Sequence, residues 1–291
     1  MVTSLNEDSL ESLIVAQMTG DTAGDAVHWI EGSSGDYDRA HAVDLTQLAA
    51  FLRSTQPAAA ELLDLEHDST TRRAFLARLQ GEVTKHGGVS ALRSGVQHGP
   101  HTIDLYYPTP TPGNTRAADR FALNRFTVTR QLRYSPTDTG RALDLAVFVN
   151  GLPLLTFELK NSITKQTVEE AVEQYKRDRD PRELLFGFGR CMAHLAVDDH
   201  RVRFCTRLAG KASWFLPFDQ GFNDGAGNPP NPNGLATDYL WRRVLAPSSL
   251  ANIIENYAQI VTVKNPQTGK KSGSSSIWWG SGESAGGEEH A

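Results

Sequence analysis

A chain of 291 residues with 39% hydrophobic content has enough apolar surface for one large domain or two small ones, which excludes the disordered and fibrous classes. Its net charge of −5 and its two cysteines, Cys191 and Cys205, exclude a disulfide framework and argue against a free-standing nucleic-acid binder, because such domains carry a basic excess. No apolar run approaches the roughly 20 residues of a membrane-spanning helix, and residues 1–20 are acidic and amphipathic rather than a signal peptide, so the expected location is the cytoplasm.

Leu5 to Met18 reads as an amphipathic helix, with Ser4 and Glu7 at capping-box spacing and Gly20 as its stop. Its stripe of Ile14, Val15 and Met18 includes an acid, Glu11, expected to reach water unless this helix packs beside the strands described below. Asp21 to Ala40 is polar and glycine-rich and reads as loop. Helices are predicted over Asp44–Arg53, Ala58–Glu66 and Thr70–Lys85, the last with Phe75, Leu76, Leu79 and Val83 on its buried stripe. Strands are predicted from Gly87-Gly88 onward, His101 to Tyr107 alternating until the loop breaker PTPTPG. His98 and His101 read as part of a solvated turn, since no further metal ligand stands at a helpful spacing. A short helix over Arg116–Leu123 precedes a strand over Phe126–Tyr134, whose Phe126, Val128 and Leu132 face the core, and Ser135 to Gly140 is a polar turn.

The most informative stretch follows, LDLAVFVNGLPLLTFELKN from Leu143 to Asn161. Two apolar, β-rich runs flank Asn150-Gly151, a strong hairpin signal. Alternation places Leu143, Leu145, Val147 and Val149 on one side with Leu155, Phe157 and Leu159, and Asp144, Ala146 and Phe148 on the other with Thr156, Glu158 and Lys160. Mg²⁺ takes hard oxygen ligands and keeps several waters, so Asp144 and Glu158, with the Leu159 carbonyl as a third oxygen, suit it. Lys160 is placed to hold an attacking water and offset phosphate charge. The alternative for the same residues is an exposed cross-strand ion pair beside an ordinary edge acid. A regular two-residue closure would pair Asp144 with Phe157 and put the two acids on opposite faces, so the metal reading requires an odd loop or a bulge near Pro153.

Beyond the hairpin, Thr167 and Glu170 form a capping box ahead of Val168, Ala171, Val172 and Tyr175, with Gln174 between the buried stripe and the polar face. Leu184–Val197 and Val202–Arg207 read as strands, with His194 a core histidine and both cysteines reduced core residues. Phe218 to Asp238 is a Gly-, Asn- and Pro-rich loop, Thr237–Val244 and Ser248–Val261 are predicted helices, and residues 262–291 read as a structureless tail. GKKS at Gly269 fails the phosphate-loop pattern, so the chain alone is expected to hydrolyse no ATP. Basic residues bracket the hairpin, and Arg130, Arg133, Lys176, Arg177 and Arg179 are the expected DNA contacts.

The stretches RFTVTRQLRYSP, LDLAVFVNGLPLLTFELKN, TVEEAVEQYKRDRDP, WFLPFDQG, GNPPNPNG and DYLWRRVL together resemble the N-terminal part of the R (restriction) subunit of type I restriction-modification enzymes, from about Leu5 to Val261. The resemblance implies a nuclease domain over residues 1–261 of the P-D-(D/E)-x-K superfamily, with a restriction-endonuclease-like mixed α/β sheet flanked by helices. It implies Mg²⁺-dependent cutting of double-stranded DNA in a complex with modification and specificity subunits. Its acids fall on Asp144 and Glu158, its lysine on Lys160, an additional acid on Glu11 and the glutamine of the following helix on Gln174. Relatives often carry Gln-x-x-x-Tyr in that helix, whereas Gln174 is followed four residues on by Asp178. Such R subunits continue into an ATP-driven motor, and this chain ends about where one would begin, as a truncated chain or a natural fragment would. The alternative function is an inactive docking module that binds partner subunits or DNA.

Overall fold

Apolar, β-branched runs in the middle of the chain build a sheet, and the helical stripes before and after them cover it. In the computed structural model, which describes residues 7–20, 27–161, 166–264 and 271–277, helix α1 (Glu7–Thr19) leads into strand β1 (Trp29–Glu31). A strand pair, β2 (Tyr37–Asp38) and β3 (Val43–Asp44), delivers the chain to helices α2 (Leu45–Thr55), α3 (Pro57–Leu63), α4 (Thr70–His86) and α5 (Gly88–Ser94). A small hairpin of β4 (Val96–His98) and β5 (His101–Ile103) and helix α6 (Thr115–Phe121) come before three long strands, β6 (Phe126–Arg133), β7 (Ala142–Val149) and β8 (Leu152–Leu159). Helix α7 (Val168–Asp178) is followed by β9 (Ala193–Val197), β10 (Val202–Cys205), β11 (Leu216–Pro217), helix α8 (Pro247–Asn252) and the pair β12 (Ala258–Lys264) and β13 (Lys271–Ile277).

Seven strands form one sheet in the order β1-β6-β7-β8-β9-β10-β11, parallel at β1/β6 and β8/β9 and antiparallel elsewhere. This is the mixed α/β sheet flanked by helices that the resemblance implies. One face, with Leu145, Val147, Val149, Phe157 and Leu159, packs on residues of α1, α2, α4 and α5. The other, with Ala146, Phe148 and Ala196, packs on Val168, Ala171, Val172 and Tyr175 of α7 and buries both cysteines as free thiols. Caps fix where helices start: the Asp44 side chain accepts from the Gln47 N–H at 3.0 Å, and Thr167 and Glu170 close a reciprocal capping box.

Several elements differ from their sequence-based expectation. The predicted loop over 21–40 contains β1, whose three residues are too few for alternation to register, yet which pairs in parallel with β6. Gly88 opens helix α5 rather than a strand, because a glycine lets the backbone come close enough for its N–H to reach the Gly189 carbonyl at 2.8 Å. Within the predicted strand 184–197, a 3₁₀ turn occupies Leu184–Phe186 and only Ala193–Val197 is strand. The predicted helix over Ser248–Val261 stops early, through a π-type stretch at Ile253–Tyr257, and becomes β12. Within the stretch read as a structureless tail, β13 pairs with β12 from Lys271 to Ile277, its backbone bonding to a strand edge despite a Ser-rich composition. The predicted Ser4 cap and residues 278–291 lie outside the described residues. Leu143 and Leu132, a cross-strand pair, are buried in the α7-side cluster instead of with Leu145 and Val128, and in β6 the alternation is interrupted at Gln131, which takes a left-handed φ of 49°.

Candidate active site

The β7–β8 connection is a tight two-residue turn, with φ of 50° at Asn150 and 85° at Gly151, the positive pair that a primed turn requires. Asn150 is locked there: its Nδ2 donates to the Leu105 carbonyl at 2.8 Å and its Oδ1 accepts from the Arg125 N–H at 2.7 Å. Such closure alone would separate the acids. Val149 pairs with Leu152 and Phe148 with Pro153, but Val147 pairs with Leu155, so Leu154 is an extra residue in β8. The bulge sits beside Pro153, where the ladder has no N–H to lose. Leu145 consequently pairs with Phe157, and one step on Asp144 comes opposite Glu158 on the same face.

Asp144 and Lys160 are half-buried and Glu158 is fully buried. Asp144 Oδ2 accepts from the Leu159 N–H at 2.6 Å, a bond that ties the first acid to the backbone beside the second. Burial, then the Asp144 charge, push the Glu158 carboxyl up to about 8, while Arg179 and Lys160 pull the other way. Arg179 meets Glu158 Oε1 through its Nε at 2.5 Å. Burial opposes the charged guanidinium, but the Glu158 carboxylate outweighs that and raises the Arg179 pKa. Under this pair, Thr156 Oγ1 lies 2.8 Å from both the Tyr175 hydroxyl and His194 Nδ1. Burial pushes His194 down to about 3, so it is a neutral core histidine, as its apolar surroundings in the sequence predict.

Glu11 does not reach water. It is 3% exposed, and its Oε1 accepts from Gln131 Nε2 at 2.6 Å. Helix α1 therefore packs beside the long strands, and Gln131, between residues that pair with Leu145 and Leu143, stands across β6 from Asp144. Gln174 is half-buried on α7 between the stripe and the polar face. Arg130 and Arg133 lie in β6 on either side of the Asp144 level and are exposed, Arg130 pairing with Glu31 at 3.3 Å. On α7, Lys176 pairs with Glu173 and the exposed Arg177 with Asp178. Arg179 differs from the others expected on DNA: it is only 6% exposed, its guanidinium paired with the buried Glu158 carboxylate. Sequence reasoning missed Gln131 and the inward role of Arg179. The first has no signal in an alternating strand, and the second had only the general need of a buried acid for a cation.

Among the described residues no three His, Cys, Asp or Glu side chains gather as a metal-ligand set. What is present is a carboxylate pair with backbone oxygen at hand, the sparse hard-oxygen set that suits Mg²⁺ rather than zinc. One observation shows a fit: Glu158 Oε2 is buried and has no hydrogen-bond partner among the described residues, a group whose desolvation a cation would compensate.

No helix among the described residues is long and apolar enough to cross a membrane. No curated protein matches the chain. A family model described as type I restriction enzyme R protein N terminus matches residues 31–213. That span covers more than half of the chain and holds the bulged hairpin, both acids, Lys160 and α7, and by it the chain belongs to the family of type I restriction enzyme R protein N-terminal regions.

Proposed function

We propose that this chain carries a Mg²⁺-dependent DNA endonuclease site of a type I restriction enzyme, working with modification and specificity subunits on double-stranded DNA. The single observation behind the reading is the bulge at Leu154, which brings Asp144 opposite Glu158 with Lys160 two residues farther along. Asp144, Glu158 and the Leu159 carbonyl would hold the ion, which when bound supplies Lewis-acid polarisation of the phosphate and a more acidic water. Lys160 Nζ offsets phosphate charge and orients the attacking water. Gln174 and Glu11 complete the set of residues assigned to the site. Arg130, Arg133 and Arg177 offer exposed cations and Lys176 a half-buried one to the phosphate backbone, and partner subunits supply the affinity that a net charge of −5 does not.

The test is plasmid cleavage by the assembled enzyme carrying Asp144→Ala, Glu158→Ala or Lys160→Ala. Each is expected to lose on the order of 10²–10³-fold in cutting rate with the circular dichroism of a folded chain retained. Cutting at the unsubstituted rate by all three would end the reading. The inactive docking module is favoured by one fact, the complete burial of Glu158 beneath Arg179. Supercoiled plasmid left intact with Mg²⁺ by the assembled enzyme would select it.

A further inference from the structure

Arg179 follows the last turn of α7 and is the only cation that an ion pair within the described residues gives to Glu158. Its guanidinium reaches three successive strand ends. Nε donates to Glu158 Oε1 of β8 at 2.5 Å, Nη2 to the Ala142 carbonyl at the start of β7 at 2.8 Å, and Nη1 to the hydroxyl of Tyr134, just past β6, at 3.2 Å. The guanidinium also lies over the Tyr134 ring, 5.6 Å from its centroid. A planar fork with donors at fixed angles, engaged at all three nitrogens, leaves little rotational freedom to the group or to the carboxylate it holds. Ala142 is two residues from Asp144, so the same clamp spans the strands that present both acids. The hold is one-sided. Oε1 is taken up by Arg179, whereas Oε2 of the same carboxylate is buried without a hydrogen-bond partner among the described residues.

We infer that Arg179 is a positioning residue, which fixes the Glu158 carboxylate so that Oε1 is consumed by the protein and Oε2 is kept for a divalent cation. The inference rests on the metal site proposed above. Arg179 acts through Glu158 and has no contact with the reacting atoms. Partners that orient a ligand in this way typically govern about 10–100-fold in metal affinity. Lysine cannot replace the arginine, because one ammonium on a flexible stem does not span Glu158, the Ala142 carbonyl and the Tyr134 hydroxyl with a set geometry.

Calorimetric titration of the 291-residue chain with Mn²⁺, comparing the unsubstituted protein, Arg179→Met, Arg179→Lys, Glu158→Gln and the Arg179→Met/Glu158→Gln double variant, tests it. Arg179→Met is expected to bind Mn²⁺ about 10–100-fold more weakly, and Arg179→Lys also more weakly. In the Glu158→Gln background the Arg179→Met change is expected to cost no further affinity, because the residue through which it acts is gone. An equal loss in both backgrounds, or unsubstituted affinity in either single Arg179 variant, overturns the inference while leaving the metal site standing. If Arg179→Met fails to fold by circular dichroism, Arg179→Lys carries the comparison by the same criterion. Absence of Mn²⁺ binding by the unsubstituted chain overturns the metal site and this inference together.

Discussion

Gly151 is where the geometry of the hairpin can be tested most directly. Its φ is 85°, and an added Cβ would stand 2.5 Å from the Asp44 carbonyl oxygen, 2.7 Å from Leu48 Cβ and 2.8 Å from the Leu48 nitrogen. Gly151→Ala therefore incurs two separate costs. The left-handed backbone disfavours a side chain by about 1–2 kcal/mol, and the overlap with α2 adds about 1–3 kcal/mol, since two of the three atoms met are backbone and cannot rotate away. Gly113 separates the two costs: its φ is 83°, nearly the same, but nothing lies within 4 Å of its added Cβ. Urea unfolding of both variants should show Gly113→Ala losing about 1–2 kcal/mol and Gly151→Ala losing about 2–5 kcal/mol in all, with unchanged slopes. If Gly151→Ala is no less stable than Gly113→Ala, the turn does not bear on α2 as described, and the account of how the hairpin is anchored fails.

Two buried titratable groups give the fold opposite pH dependences. Burial raises the Asp44 carboxyl from its ordinary 3.8 to about 6, so the folded state holds more protons and this contribution to stability is lost as pH rises through 6. At one pKa unit per 1.36 kcal/mol the cost by pH 8 is about 3 kcal/mol. Asp44→Asn keeps an acceptor for the Gln47 N–H and is expected to gain stability over the unsubstituted protein at pH 8 but not at pH 4, by urea midpoint; the same offset at both values would refute this. His194, lowered from 6.5 to about 3 by burial, works the other way. The unfolded chain takes up its proton first, and stability falls with pH between 6.5 and 3, by about 2–3 kcal/mol at pH 4.5. His194→Gln should flatten that acid limb, and an unchanged slope of stability against pH would show that the imidazole is not held neutral.

What the sequence disclosed followed from period and punctuation. The α4 stripe of Phe75, Leu76, Leu79 and Val83 is buried as its spacing predicts, the α7 capping box closes, and the need for a bulge near Pro153 follows from parity alone, since acids at positions 144 and 158 cannot share a face across a regular two-residue turn at Asn150-Gly151. What stayed hidden depended on tertiary partners. A three-residue strand such as β1 is too short to show alternation, and only its neighbour β6 makes it a strand. Glu11 looks like a boundary residue until α1 is laid against β6, where Gln131 supplies its hydrogen bond. Arg179 sits in a basic run that suggests a solvated face, and only the burial of Glu158 turns it inward.

Three departures from regular strand structure occur in neighbouring strands: the extra residue Leu154 in β8, the left-handed Gln131 in β6 and the fully buried Glu158 beside a second acid. Each opposes folding by itself. A residue with φ near 50° in a strand costs about 1–3 kcal/mol, and a carboxylate removed from water costs several kcal/mol even after relaxation. Packing alone would favour an apolar residue at position 158, whose neighbours in β8 are Phe157 and Leu159, both buried. Arg179 offsets part of the desolvation through Oε1, whereas Oε2 has no hydrogen-bond partner among the described residues. Such costs persist where surrounding structure over-determines them, and here the clamp from α7, the Leu159 N–H on Asp144 and the Gln131 bond to Glu11 supply that excess. Strain distributed at random along the sheet would carry no meaning. The left-handed Gln131 lies between the residues that pair with Leu145 and Leu143, level with Asp144, and the buried Glu158 is the second acid, so two of these departures fall at the level of the acids and the third sets their register.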